Sequence, residues 1–390
     1  MSVTAPRGFV ASGVASGIKA SGALDLSLVA TDDGATVPAA AVFTTNLATA
    51  APVLVSRSHL AATNGRAAAV VLSSGNANAA TGEQGTADAR RMCELVGEGI
   101  GVAAEAVLVC QTGLIGIPLP MAYLESGIPG LVVARAQGPE AGALAATAIM
   151  TTDTFAKETV VAGDGFGVGA MAKGAAMLAP NMATMLAVLT TDARCDAATL
   201  RDALARAVTS SFNRLTVDGA TSTNDTVIVL AGGRSGVSPA PDELAEALEA
   251  ACGGLAAMMA QDAEGATKVA HVIVTGARSD GEAHRAARKV ADSNLVKCSL
   301  NGEDPYWGRV LSELGSAGVA FDPDRATIAY GGVEVCRHGI AAAHDPGAVA
   351  AHMAGRSIEI ACDLGLGDGR AVVLTCDLGH GYIDENRTTS

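Results

Sequence analysis

The sequence predicts a layered α+β fold, and two observations carry that prediction. Short β-branched runs closed by glycine and amphipathic helical stretches both occur, but they do not alternate as regular βαβ units. That argues against a doubly wound parallel sheet. The composition agrees: 49% of residues are hydrophobic but only 3% aromatic, with 46 glycines, so the core must be thin Ala, Val and Leu layers joined by many turns. The length of 390 residues fits two domains or one large one, with ample core.

In chain order, the first strands are AAAVVLSSG (67–75) and AVLVCQTG (106–113), short apolar runs bounded by glycine. GDGFGVGAMAKG (163–174) has spaced glycines but not the order of a phosphate loop, so it reads as a glycine-rich hairpin. DAATLRDALARAV (196–208) predicts a helix capped by Asp196, with Leu200, Leu204 and Val208 on one face. DTVIVLAGG (225–233) is a further strand. PDELAEALEAACGGLAAMMAQDAEG (241–265) is a helix whose acidic first turn suits the helix dipole. KVAHVIVTGA (268–277) reads as a strand and EAHRAARKVADSNLVK (282–297) as one basic helix. SIEIACDLGLGDGRAVVLTCDLG (357–379) reads as a hairpin turning at 365–369.

The charge narrows the partners. A formal charge of −14 and no basic run exclude nucleic acid and anionic membrane as expected partners. The N-terminal segment lacks an apolar core of the export type, so a cytoplasmic location is expected. The eight cysteines form no C-x-x-C pair, and Cys336 with His338 is only one close pair, so no metal site is expected. Most of the cysteines read as reduced core thiols. Asp304, Trp307 and Arg309 in NGEDPYWGRV read as a polar corner around the single tryptophan.

The unusual stretch is KGAAMLAPNMATMLAVLTTDA (173–193). It is nearly all apolar, yet Pro180, Asn181 and Thr184 interrupt it and Lys173 stands at its mouth. It is too short for a membrane span, so a buried strand–turn–strand is expected, with Lys173 across from the second strand. A buried threonine ordinarily does no more than bond a nearby carbonyl. Cleavage of the Ala183–Thr184 bond would give it another use. An intramolecular acyl shift onto Thr184 Oγ, followed by ester hydrolysis, would free the Thr184 α-amine. That amine, with an ordinary pKa of about 7.7–8.0, is a base adjoining a hydroxyl nucleophile.

The same stretch resembles the self-cleavage segment of the ornithine acetyltransferase family, the argJ type of arginine biosynthesis. SSGNANAATG from Ser73, CQTGLIG from Cys110, AIMTTDT from Ala148 and FNRLTVDGATSTNDT from Phe212 extend the resemblance. So do DAEGATK from Asp262, NLVKCSLNGEDPYWGR from Asn294 and YIDEN from Tyr382, in order along the whole chain. The resemblance implies two subdomains with mixed sheets and self-cleavage into an α chain, 1–183, and a β chain, 184–390. It implies transfer of acetyl from N2-acetyl-L-ornithine to L-glutamate through an acetyl-threonine, without cofactor, in an α2β2 or larger heterotetramer. Acetyl-CoA stays open as a second donor.

By the same resemblance Thr184 is the nucleophile, and Thr112 and Gly113 form an oxyanion hole, worth about 3–4 kcal/mol per donor. Thr151, Lys173, Glu264, Asn386 and Ser390 join Thr184 in binding substrate. Glu264 suits the ammonium of ornithine, and Lys173 would also favour a neutral Thr184 amine by like-charge repulsion. Two departures stand out. The C-terminal pattern is one residue short and lacks a tyrosine, which leaves Ser390 as the last contact, and Tyr306 replaces a usual asparagine. Two rival readings are a self-cleaving amidohydrolase or aminopeptidase, in which water accepts the acyl group, and an uncut acetyl-amino-acid binding protein.

Overall fold

Strands buried on both faces dominate the first of two compact units in the computed structural model, which describes residues 2–177 and 185–387. This unit comprises Met1–Asn213 and Thr221–Met259. Its first sheet runs Phe9–Val14, Leu26–Thr31, Ala69–Asn76, Val107–Leu114, with only the last pair parallel. Its second sheet runs Arg66–Ala67, Val37–Phe43, Thr226–Ala231, Leu186–Thr191, Gly167–Lys173, Lys157–Ala162. Both sheets are mixed, as expected.

The two sheets face each other across one core. Val70, Leu72 and Leu108 from the first meet Met171, Leu186, Val188, Ile228 and Leu230 from the second. The alternate residues of the first sheet, Ala69, Val71, Val107 and Val109, turn outward against Met92 and Val96 of helix Gly82–Ile100 and Leu124 and Ile128 of helix Met121–Val133. Helix Ala197–Ser210 lies on the second sheet, against Val37–Phe43 and Thr226–Ala231. Strands so enclosed need apolar residues at consecutive positions, which is why AAAVVL and VIVLA show no alternation. Asp196 caps its helix as expected, accepting the Thr199 N–H at 2.7 Å. The glycine-rich segment is a hairpin, Lys157–Ala162 paired antiparallel with Gly167–Lys173.

The second unit comprises Arg214–Ala220 and Ala260–Thr389. Its sheet order is Ile340–Ala341, Val333–Arg337, Thr327–Tyr330, Ser357–Asp363, Val269–Ala277, Gly369–Cys376. Here one face carries the core: Val272, Val274, Ile358, Ile360, Ala371 and Val373 pack with Ala287, Val290, Leu314 and Met353 from helices. Glu359 and Arg370 on the other face are exposed, so these strands alternate.

Two sequence expectations fail in this unit. Ser357–Asp363 and Gly369–Cys376 are not a hairpin, because Val269–Ala277 lies between them, parallel to the first and antiparallel to the second. The connecting glycine segment folds over the end of that strand instead, with the Leu366 and Gly367 N–H groups donating to Gly276 O. The single helix expected at 282–297 is two, Asp280–Ala291 and Asn294–Asn301, because Ser293 starts a new helix by accepting the Val296 N–H. Cys298 is exposed while six cysteines, among them Cys93 and Cys110, are buried. No helix among the described residues is long and apolar enough to cross a membrane.

Candidate active site

The apolar stretch 173–193 resolves, within the described residues, into two antiparallel neighbours of the second sheet, with Lys173 opposite Leu186. The boundary expected at Ala183–Thr184 therefore falls in the connection between paired strands of one unit, not between the units. Pro180, Asn181, Ala183, Thr184 and Ser390 lie outside the described residues. The strand that follows Thr184, Leu186–Thr191, is paired on both sides, antiparallel to Gly167–Lys173 and parallel to Thr226–Ala231.

Lys173 is buried, and its Nζ donates to Thr112 Oγ1 at 3.4 Å. Two residues named on separate motifs thus meet. Thr112 and Gly113 close the strand Val107–Leu114, where the parallel ladder with Ala69–Asn76 becomes irregular and Asn76 faces both Thr112 and Leu114. Gly113 has φ +132°, and a Cβ there would sit 2.3 Å from the Gly75 carbonyl carbon. Only glycine fits, so the backbone at the candidate oxyanion hole is fixed by a close approach of two chains.

A buried amide network supports that strand end. Asn224 Nδ2 donates to Ala77 O at 2.6 Å and to Gln111 O at 2.9 Å. Asn78 Nδ2 donates to Gln111 Oε1 at 2.8 Å, and the same loop holds Asn78 and Ala80 at φ +48° and +58°. These bonds explain the chemistry of SSGNANAATG: its amides pin a loop that small residues alone would leave unsatisfied.

Thr151 reaches the same region through a residue that sequence reasoning passed over. Asp153 Oδ2 accepts the Thr151 N–H at 3.0 Å, and Asp153 Oδ1 accepts both the Gly174 N–H at 2.7 Å and Lys157 Nζ at 2.6 Å. One carboxylate therefore joins Thr151 to the residue after Lys173. Burial alone would push the Asp153 carboxyl up. The charges of Lys173 and Lys157 and the bonds from Lys157 and Thr151 overcome that and hold it at about 2. The signal was present in the sequence, since Asp153 is the acid of MTTDT. What was hidden is that its partners come from elsewhere in the fold.

Asp225 behaves in the opposite way. Its Oδ1 accepts the Met185 N–H at 3.0 Å, while Oδ2, also buried, has no hydrogen-bond partner among the described residues. Burial pushes this carboxyl well above the usual range, and the Met185 N–H, the Ser222 hydroxyl and the Lys173 charge pull back only part of the way.

Glu264 and Asn386 belong to the second unit, where they meet: Asn386 Nδ2 donates to Glu264 Oε2 at 2.7 Å. Helix His380–Glu385 can approach because Gly265 and Gly381 touch, and a Cβ on Gly265 would lie 2.1 Å from the Tyr382 N. Tyr382 Oη bonds Asp218 Oδ2 at 3.3 Å, and burial together with that neighbouring acid pushes the phenol up to about 12.

The ArgJ family model matches residues 10–388. This chain belongs to the ArgJ family. An arginine biosynthesis bifunctional protein ArgJ from Mycobacterium bovis is 48% identical over all of this chain and 96% of its own length. Its counterpart from Streptomyces coelicolor is 46% identical with both chains fully covered. A crystal structure of ornithine acetyltransferase complexed with ornithine from Mycobacterium tuberculosis is 46% identical. It covers 46% of this chain and 94% of its own, with a TM-score of 0.44. Membership makes the ArgJ-type segments of this chain, from SSGNANAATG to YIDEN, parts of one enzyme framework.

Proposed function

We propose that this chain is a glutamate N-acetyltransferase of arginine biosynthesis, cleaving itself between Ala183 and Thr184 and carrying acetyl on Thr184. Family membership and full-length relatives bearing the ArgJ name support the reaction. The observation that carries the mechanism is the Lys173–Thr112 contact. By donating to Thr112 Oγ1 the ammonium occupies a lone pair of that hydroxyl and leaves its proton for an outside acceptor.

In the first half-reaction Thr184 Oγ attacks the acetamide carbonyl of N2-acetyl-L-ornithine while the Thr184 α-amine takes the hydroxyl proton. Thr112 Oγ–H and the Gly113 N–H stabilise the tetrahedral oxygen. The C–N bond breaks, the proton passes to the departing amine, and ornithine leaves an ester on Thr184. In the second, the amine of L-glutamate attacks that ester, and Oγ regains a proton as N-acetylglutamate departs. Thr151 and Lys173 bind the amino-acid portion, and Glu264, Asn386 and Ser390 complete recognition. Acetyl-CoA is a second donor able to load the same threonine. The name "bifunctional" borne by the relatives supports including it. An α2β2 assembly in the cytoplasm completes the proposal.

Initial-rate kinetics with both substrates varied tests the reaction. Parallel double-reciprocal lines and acetyl transfer that depends on glutamate are expected. Intersecting lines, or acetate released at the same rate without glutamate, would contradict transfer and favour the hydrolase.

A further inference from the structure

The motif FNRLTVDGATSTNDT (212–226) has no role in the mechanism above, yet its last residues grip the chain directly after Thr184. Asp225 is fully buried. Its Oδ1 holds the Met185 N–H at 3.0 Å, and the next residue, Thr226, donates its own N–H to Met185 O at 3.1 Å. Met185 is thus clamped at both backbone polar groups. Asp225 is itself tied back, since its carbonyl accepts the Thr44 N–H at 2.9 Å.

The Met185 nitrogen is bonded to the carbonyl carbon of Thr184. Because a peptide unit is planar, holding this N–H restrains the backbone on the Met185 side of that bond. We propose that Asp225 is the positioning residue of the Thr184 nucleophile, acting through the hydrogen bond it accepts from the Met185 N–H. The inference rests on the reading of Thr184 as nucleophile.

The surroundings favour the neutral form of the carboxyl. Oδ2 has no hydrogen-bond partner among the described residues, which makes a charge on it costly. The groups that bear on Asp225 are the Met185 N–H, the Ser222 hydroxyl and Lys173, and burial outweighs all three. A charged Asp225 would compete for the Lys173 ammonium. Lys173 donates to Thr112 and bears on Asp153 through its charge.

The test uses the full chain with Asp225→Asn, which keeps a neutral oxygen acceptor, and Asp225→Leu, which keeps the branched shape but no acceptor. Self-cleavage is followed by intact mass and folding by thermal denaturation. Steady-state kcat and KM for N2-acetyl-L-ornithine are measured on the cleaved protein. Small misplacement of a reacting group costs on the order of a hundredfold in rate, so Asp225→Leu should lower kcat by at least about tenfold with KM within about twofold, and Asp225→Asn should stay within about threefold of the parent. Should Asp225→Leu not fold, Asp225→Ala read against Asp225→Asn decides the same question. A Leu variant with parental kcat, or an Asn variant as impaired as Leu, would overturn the proposal. An uncut parent chain would instead overturn the nucleophile reading beneath it, and the two failures are distinguishable by mass alone.

Discussion

Asp153 and Asp225 lie in the same unit, both buried and both within the field of Lys173, and yet their carboxyls shift in opposite directions. Asp153 receives two backbone N–H bonds and the Lys157 ammonium, and it is ionised. Asp225 receives the Met185 N–H on one oxygen and has nothing bonded to the other among the described residues, and burial pushes its carboxyl well above the usual range. Depth of burial is nearly equal, so the number and charge of the partners decide. The site thereby obtains an ionised anchor at Thr151 and Gly174 and, at Met185, an anchor whose burial disfavours charge.

The same substitution at both positions should separate them most sharply. Asp153→Asn removes the carboxylate that meets the buried Lys157 ammonium at 2.6 Å, which should cost about 3–5 kcal/mol of folding stability in denaturant titration. Asp225→Asn should cost none at neutral pH. Equal losses would break the comparison. Thr112→Val keeps shape but removes the hydroxyl that Lys173 orients, and it should lower kcat by about 10²–10³ while the protein stays folded.

The pH dependence should have opposite signs. The Asp153 carboxyl is depressed to about 2, so its contribution, about 2 kcal/mol, is present above about pH 4 and is lost as pH falls toward 2. The Asp225 carboxyl is raised, so its contribution is complete below the ordinary carboxylate value, near 4, and declines as pH rises above it. Asp225→Asn should therefore gain on the parent between pH 4 and 7 in urea midpoints and match it at lower pH. The smallest expected effect is remote from both. Asp196→Ala removes a helix cap and should cost about 1 kcal/mol by the same titration.

What the sequence disclosed follows the range of the interactions. The Asp196 cap, the glycine hairpin and the antiparallel pairing of Lys173 with Leu186 are local, and local spacing revealed them. The insertion of Val269–Ala277 between Ser357–Asp363 and Gly369–Cys376 is a pairing over roughly 90 residues on one side, and no turn signal reports it. The break at Ser293 was legible as a cap but was masked by the basic, helix-favouring residues on either side. At the site, Thr112, Gly113, Thr151 and Lys173 were visible as motif residues, whereas Asp153 and Asp225 gain their roles only from partners the fold delivers. An acid in MTTDT or in STNDT carries no mark of its charge state.

The most direct test of the account is intact-mass spectrometry of the purified protein beside Thr184→Ala, before and after incubation with N2-acetyl-L-ornithine. The account predicts two fragments that divide between Ala183 and Thr184, with the fragment beginning at Thr184 gaining the mass of one acetyl group and losing it when glutamate is added. The variant should remain one chain without the added mass. A parent chain that stays whole, or fragments that never take up acetyl, would contradict it.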